Sequence, residues 1–405
     1  MDSALGFLVA ARQCEIDELE HLALTGDLVA VVARLVHGLQ RERGLTNVYL
    51  ASQGTRYAEA LQQQVTSSEM AHQEVRTQFD ALDTAAHRVR NGARLFSRIA
   101  YVLFALDSLP ALRQQVQAQA ISAEDATAGY VRLVSGLLNV VFEAADSASD
   151  PEISRALVAL FHFMQGKEYA GQERALGSAA FASGKLDLSG RQHWQHLIEA
   201  QEGCLQVFND FTDPAIRTAW QSVQPVEALH TLERLRRVAV TISSSGQTLD
   251  SNALQPWYEA CTERIDAMKA IEDLLANHLR QLCVRRTAQA RDELRNQQAS
   301  LETLQRQADA PEETPPALLG PHLERAVLGM VQEQSRRLQS VSDELETTRA
   351  ALNERKVIER AKGLLMASRK LNEEEAHTML RQTAMNQGKR LVEVAQTVLS
   401  MSDYL

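Results

Sequence analysis

Two Glu-Arg pairs set in apolar sequence stand 131 residues apart. The first is Glu42-Arg43-Gly44-Leu45, followed by Ala51-Ser52; the second is Glu173-Arg174-Ala175-Leu176, followed by Ala182-Ser183. Five of the eleven positions in this window are identical. Leu45, Val48, Tyr49 and Leu50 surround Arg43 in sequence, and Leu176, Ala179 and Phe181 surround Arg174. A guanidinium buried in such a setting requires a partner. A neighbouring carboxylate, Glu42 or Glu173, is one solution. A small external anion is the other, because the planar fork of N–H donors suits a carboxylate, a phosphate or another planar oxyanion. A weaker echo pairs Ala111-Leu112-Arg113 with Arg234-Leu235-Arg236 at an offset of 123, and together the matches suggest a duplicated helical unit.

No other constellation carries chemistry. The sequence lacks HExxH, GxxxxGK[ST] and GxSxG. Cys14, Cys204, Cys261 and Cys283 are too far apart for a zinc knuckle or a disulfide framework, and His193 and His196 have no carboxylate or thiol at ligand spacing. The reading is a non-enzyme without a metal or cofactor.

The elements that must position the arginines read as helices throughout. Gly and Pro together make 28 of 405 residues and aromatics only 5%, whereas Ala, Leu, Gln, Glu and Arg abound. Residues 27–53 place Leu28, Val31, Val32, Leu35, Val36 and Leu39 at spacings of three and four. X-Pro breaks fall at Leu109-Pro110, Asp150-Pro151, Asp213-Pro214, Gln224-Pro225 and Gln255-Pro256, with Asp150 and Asp213 as N-caps. The pattern predicts eight to ten helices before residue 307, packed as antiparallel bundles. The start of the chain has no basic n-region, and no run of about 18 uninterrupted apolar residues occurs, so a cytoplasmic protein without membrane contact is expected.

Residues 308–321 hold four of the nine prolines and read as a hinge. Beyond it, Val327, Val331, Gln334, Leu338, Val341, Leu345, Thr348 and Leu352 follow a 4,3 spacing, a coiled-coil seam that implies a homodimer. The net charge of −10 divides unevenly, at +3 from Arg349 onward and −13 before it. A basic tail on an acidic body suggests a regulatory module joined to a nucleic-acid-binding one.

At these residues the chain resembles known families. LQRERGLTNVYLAS (39–52), GKEYAGQERALGSAAFASG (166–184) and WYEACTERIDAMKAIEDLL (257–275) resemble the nitrate- and nitrite-sensing NIT domain. Residues 351–399, with Ala361-Lys362-Gly363-Leu364-Leu365-Met366, Glu374-Glu375-Ala376, Leu380-Arg381, Ala384-Met385 and Val394-Ala395, resemble the ANTAR RNA-binding domain of transcription antiterminators. The resemblance implies nitrate or nitrite as effector, leader RNA hairpins rather than DNA as partner, and nitrate relieving inhibition of the RNA-binding part. A different small anion with the same output, or a ligand-regulated DNA-binding protein, are the alternatives.

The expected fold class is all-α. Residues 1–307 form the sensing domain as two four-helix bundles, 308–321 the hinge, 322–352 a coiled-coil helix and 353–405 a three-helix RNA-binding domain. Arg43 and Arg174 should hold nitrate between the bundles, with Arg236 a third donor and Arg41 a fourth. In the tail, Asn372 reads as an N-cap and Gly388 as the residue following a helix. Leu364, Leu365, Ala376, Met379, Leu380, Ala384, Leu391, Val394, Ala395 and Val398 can fill a core. Lys362, Arg381, Lys389 and Arg390 then remain at the surface for RNA, and Gly363 lets RNA approach closely. With no aromatic platform, recognition must rest on loop shape, phosphates and a few base edges.

Overall fold

A computed structural model describes residues 2–82, 85–245, 248–308, 320–369, 371 and 373–401. Among them lie thirteen α-helices, one 3-10 turn and no strand. The helices follow the punctuation. Helix α1 (Asp2–Ala51) is succeeded by α2 (Ala58–Leu82), α3 (Ala85–Asp107), α4 (Leu109–Gln117) and α5 (Ala123–Ser147). Then come α6 (Pro151–Ser183), α7 (Leu188–Phe211), α8 (Pro214–Val223), α9 (Val226–Ser245) and, after a 3-10 turn, α10 (Leu254–Ala308). Pro110, Pro151 and Pro214 sit in first turns, where the missing N–H costs nothing. Asp150 accepts from the Ile153 amide at 3.0 Å and Asp213 from the Ala215 amide at 2.8 Å, as N-caps should.

The first unit, 1–334, extends past the expected boundary at 307 and contains two groups of packed helices. Helix α1 packs on α2 and α5, and α3 packs on both of those. In the second bundle α6 packs on α7 and α10, and α10 packs on α8 and α9. The helix starts keep the repeat: α2 and α7 begin at 58 and 188, α5 and α10 at 123 and 254. The bundles meet where α1 lies against α10 and α6, and α5 against α6. The second core is built on Phe181, Trp194 and Trp257, whose two indoles lie 5.0 Å apart edge to face.

Three stretches, Val9–Ala51, Ala93–Gln117 and Ala123–Ser147, are long and apolar enough to cross a membrane by length and composition. Counting uninterrupted apolar residues misses them because each contains scattered polar side chains. The first and third bury 61% and 72% of their apolar windows inside the protein, and Ala93–Gln117 only 28%, leaving Tyr101 and Phe104 exposed.

The second unit, 335–405, consists of most of α11 (Gly320–Arg369), α12 (Glu373–Gln387) and α13 (Leu391–Met401). The division falls inside α11 rather than at the proline-rich segment, of which residues 309–319 lie outside the described residues, as do Asn372 and the side chains of Val327, Val331, Gln334 and Met385. Along the expected seam Leu345, Thr348 and Leu352 are buried and Leu338 is exposed. Ala361, Leu365, Ala376, Leu380, Ala384, Val394 and Ala395 form a core, flanked by Met379, Leu391 and Val398. Gly388 has φ +60°, a left-handed conformation that spares a glycine the Cβ clash, and the Lys389 amide donates back to the Ala384 carbonyl at 3.1 Å.

Candidate functional site

Adjacent residues on a helix point about 100° apart, and each Glu-Arg pair exploits this. The glutamate turns into its own bundle and the arginine faces the other one. Glu42 accepts from Arg113 Nε at 2.8 Å and Nη2 at 2.9 Å, and from the Tyr130 hydroxyl at 2.8 Å. Glu173 accepts from Arg236 Nε at 2.6 Å and Nη2 at 2.5 Å, from Trp194 Nε1 at 2.8 Å and from Gln201 at 2.8 Å. Burial raises the Glu173 carboxyl, but its donors, Arg236 first, bring it below the usual carboxylate range. Glu42 and Glu173 are therefore fully engaged elsewhere, and the pairing with Arg43 and Arg174 that adjacency suggested is not made.

Arg43 reaches from α1 to α6 and forms a bidentate pair with Glu168, Nη1 to Oε1 at 2.5 Å and Nη2 to Oε2 at 3.2 Å. Gln40 and Gln172 add 2.9 and 2.8 Å hydrogen bonds to the same carboxylate. Arg174 reaches back from α6 towards α1. Its Nη1 donates to Thr262 Oγ1 at 3.0 Å, its Nη2 lies 3.5 Å from the Gln40 carbonyl, and its guanidinium covers the Tyr258 ring at 5.1 Å. Among the described residues no carboxylate forms an ion pair with it. Burial lowers its basicity and the nearby Arg43 charge adds to this, while Tyr258, Cys261 and the Asp266 carboxylate oppose it without reversing it.

Two glycines make this crossing possible. A Cβ on Gly44 would fall 2.4 Å from Arg174 Nη2, and one on Gly171 would fall 2.5 Å from Arg43 Nη2. Beside the arginines, Lys167 Nζ lies 2.5 Å from Glu272 Oε2, and Lys269 bonds Glu272 at 3.1 Å and Asp273 at 2.7 Å. Arg43, Glu168 and Arg174 together leave one positive charge without a counter-charge of its own. A monovalent planar oxyanion has the charge and the acceptor geometry to complement it.

Of the four expected donors, Arg43 and Arg174 are brought together. Arg236 has all its guanidinium nitrogens engaged, with Nη1 on Glu233 at 2.6 Å and the others on Glu173. It is the counterpart of Arg113, and here it fixes Glu173 rather than facing the crossing. Arg41 is exposed. Sequence reasoning missed Glu168, Thr262 and Tyr258. Two open surface depressions, at Arg56, Tyr57 and Gln255 and around Leu50 and Gln119, touch neither buried arginine.

In the second unit Gly363 is exposed with open space above it, Arg381 is half-buried and Lys389 is exposed. Arg390 is exposed and pairs with Glu354 at 2.7 Å. Lys362 corrects the expectation of a free surface cation, since it is only 8% exposed beside the core residue Ala361. A lysine stem can pack along apolar surface in this way.

Comparison with known proteins shows the family. The family model for nitrate and nitrite sensing (NIT) matches residues 34–280, and the ANTAR domain model matches residues 346–399. The nitrate regulatory protein of Klebsiella oxytoca is 35% identical over 394 residues, covering 96% of this chain and 93% of that protein. The solved structure of the NasR transcription antiterminator superposes over the full length of both chains with a TM-score of 0.62 and 31% identity. The two domains in this order, on an all-helical fold, place the chain in the nitrate- and nitrite-sensing family as a NasR-type regulator with a C-terminal ANTAR domain.

Proposed function

We propose that nitrate or nitrite binds at the α1–α6 crossing, with Arg174 as the open seat and Arg43 beside it, and that occupancy releases the ANTAR domain to bind leader RNA hairpins and prevent transcription termination. The observation that carries this reading is a buried guanidinium whose hydrogen bonds go to a hydroxyl and a carbonyl instead of a carboxylate. An anion there gains charge-assisted hydrogen bonds worth about 1.5–3 kcal/mol each. Arg41 acts, in this reading, through the charge it brings near the site, and Arg236 by fixing Glu173 rather than as a contact of the anion. No cofactor enters the scheme, and the working form is a cytoplasmic homodimer joined through the seam in α11.

The charge split supports the coupling. A basic tail can be held by an acidic body until the anion favours a body that releases it. A ligand shifts such an equilibrium only by its differential affinity, and a ~100-fold preference corresponds to roughly 2.7 kcal/mol. Calorimetric titration with nitrate, nitrite, chloride and phosphate tests the sensing. Saturable nitrate or nitrite binding is expected, while binding of phosphate or chloride alone would assign another effector. Gel shifts with leader RNA and with the matching DNA test the output, with RNA expected to shift. A fragment starting at His322 should antiterminate without nitrate. A folded fragment that stays silent until the body and nitrate are supplied would make the body an activator instead.

A further inference from the structure

Among the differences between the two halves of the crossing, one falls where Arg43 finds its carboxylate. Arg43 meets a carboxylate six residues before the other arginine, at Glu168. The repeat places His37 in the same register, six residues before Arg43 and 131 before Glu168. His37, Arg41 and Gly44 lie at i, i+4 and i+7 on one face of α1, and Arg174 runs directly over Gly44. His37 Nδ1 is buried without a hydrogen-bond partner, and so is Oε1 of Gln40, one turn further along.

We propose that His37 is the residue that holds the anion seat open: a neutral side chain where the repeat elsewhere carries Glu168 denies Arg174 an internal carboxylate and leaves it for one external anion. The inference rests on the anion site proposed above and names what makes that site selective. A carboxylate at position 37 would close both arginines with internal pairs, and the crossing would have no net charge to offer. Two neutral residues would leave both arginines open and favour an anion of higher charge. One carboxylate and one neutral residue match a single monovalent anion. The surroundings keep His37 neutral. Burial, then Lys167, Lys269, Arg41 and Arg174, push its pKa down to about 2.

The test uses the full chain with three variants. His37→Glu should weaken nitrate binding by about a hundredfold or more, the scale of losing charge-assisted hydrogen bonds to an internal competitor. His37→Gln, also neutral, should retain binding within about tenfold. The exchange variant carrying His37→Glu and Glu168→His should bind nitrate again with Arg43 as the open seat, so that adding Arg43→Ala removes it. Thermal unfolding without added anion separates the two ideas. Glu at 37 should raise the midpoint in the presence of Arg174 and not in an Arg174→Ala background. That midpoint pattern with no nitrate binding by the unmodified chain would sink the effector assignment and leave the pairing intact. Unchanged nitrate affinity in His37→Glu, a midpoint gain that survives Arg174→Ala, or a folded exchange variant that is blind to nitrate would overturn the role of His37.

Discussion

The two glutamate–arginine pairs of the body repeat one design, and the two arginines that follow the glutamates break it. Glu42 with Arg113 and Glu173 with Arg236 are closed: each carboxylate meets a guanidinium from its own bundle and is finished off by Tyr130 or by Trp194 and Gln201. Arg43 is closed as well, on Glu168. Arg174 alone of these four arginines reaches no carboxylate. Burying a cation without a counter-charge costs stability. The repeat thus carries a frame of matched charges, and the proposed site lies where one match is missing. The comparison predicts that substitutions in the closed pairs act on folding, whereas those at the open arginine act on ligand affinity.

The largest effects belong to the closed pairs. Arg236→Ala strands Glu173 and Arg113→Ala strands Glu42, each about 1% exposed or less. Breaking one side of a buried pair costs about 3–5 kcal/mol, so denaturant unfolding should show losses of that order. Arg43→Ala belongs in the same group because it strands Glu168, and any weakened nitrate binding in that variant is confounded with destabilisation. If Arg236→Ala kept full stability while nitrate affinity fell, Arg236 would be a ligand donor and the comparison would fail.

Arg174→Ala should do the opposite. It removes hydrogen bonds to Thr262 and the Gln40 carbonyl but strands no carboxylate, so stability should change by about 1 kcal/mol or less. Nitrate affinity should drop by roughly tenfold to a hundredfold, the equivalent of one or two charge-assisted hydrogen bonds. Arg174→Lys should fare little better, because an ammonium lacks the planar fork. Equal stability losses in Arg174→Ala and Arg236→Ala would erase the distinction between open and closed arginines.

Acid offers a third probe. His37 and His72 are both held below the usual histidine value, mainly by burial. The unfolded chain takes up their protons below about 6.5, and the folded chain resists. Their stabilising effect is therefore complete above that value and declines as the pH falls, by at most about 1.4 kcal/mol per unit for each group. His72 is the weaker of the two because Glu69 opposes the shift. Unfolding midpoints measured between pH 7.5 and 5 should fall, and His37→Gln should flatten the slope. A slope unaffected by that change would assign the acid sensitivity to other groups.

The arginine pair was legible in the sequence because both copies keep the same dipeptide in apolar surroundings, and the helix punctuation was legible because Pro and Asp act locally. The partners were not. Glu168 lies 125 residues from Arg43, and Thr262 lies 88 from Arg174. Only the crossing of α1, α6 and α10 brings them together. Arg236 misled for a related reason. A short echo identified it as a repeat element, but not that the element serves a glutamate. In the tail, the heptad and core patterns found the helices, while the burial of Lys362 depended on how closely α11 packs at Ala361.

That last contrast gives the smallest effect. Lys389 is exposed, Arg381 is half-buried, and the Arg390 guanidinium makes a surface pair with Glu354. Exposed pairs contribute about 0–1 kcal/mol, so Arg390 can exchange Glu354 for a phosphate at little cost. Each phosphate contact removed should reduce the salt dependence of RNA binding by about one unit or slightly less. Lys389→Ala, Arg390→Ala and Arg381→Ala should therefore flatten the plot of log affinity against log salt, with nitrate affinity unchanged. Lys362→Ala should behave differently, since a side chain 8% exposed has more packing to lose than charge to offer. It should lower the stability of the three-helix unit and alter the slope less. A full-unit flattening by Lys362→Ala, with stability intact, would show that its ammonium swings out to RNA, and that the tail, like the crossing in the body, keeps a buried cation in reserve for an external anion.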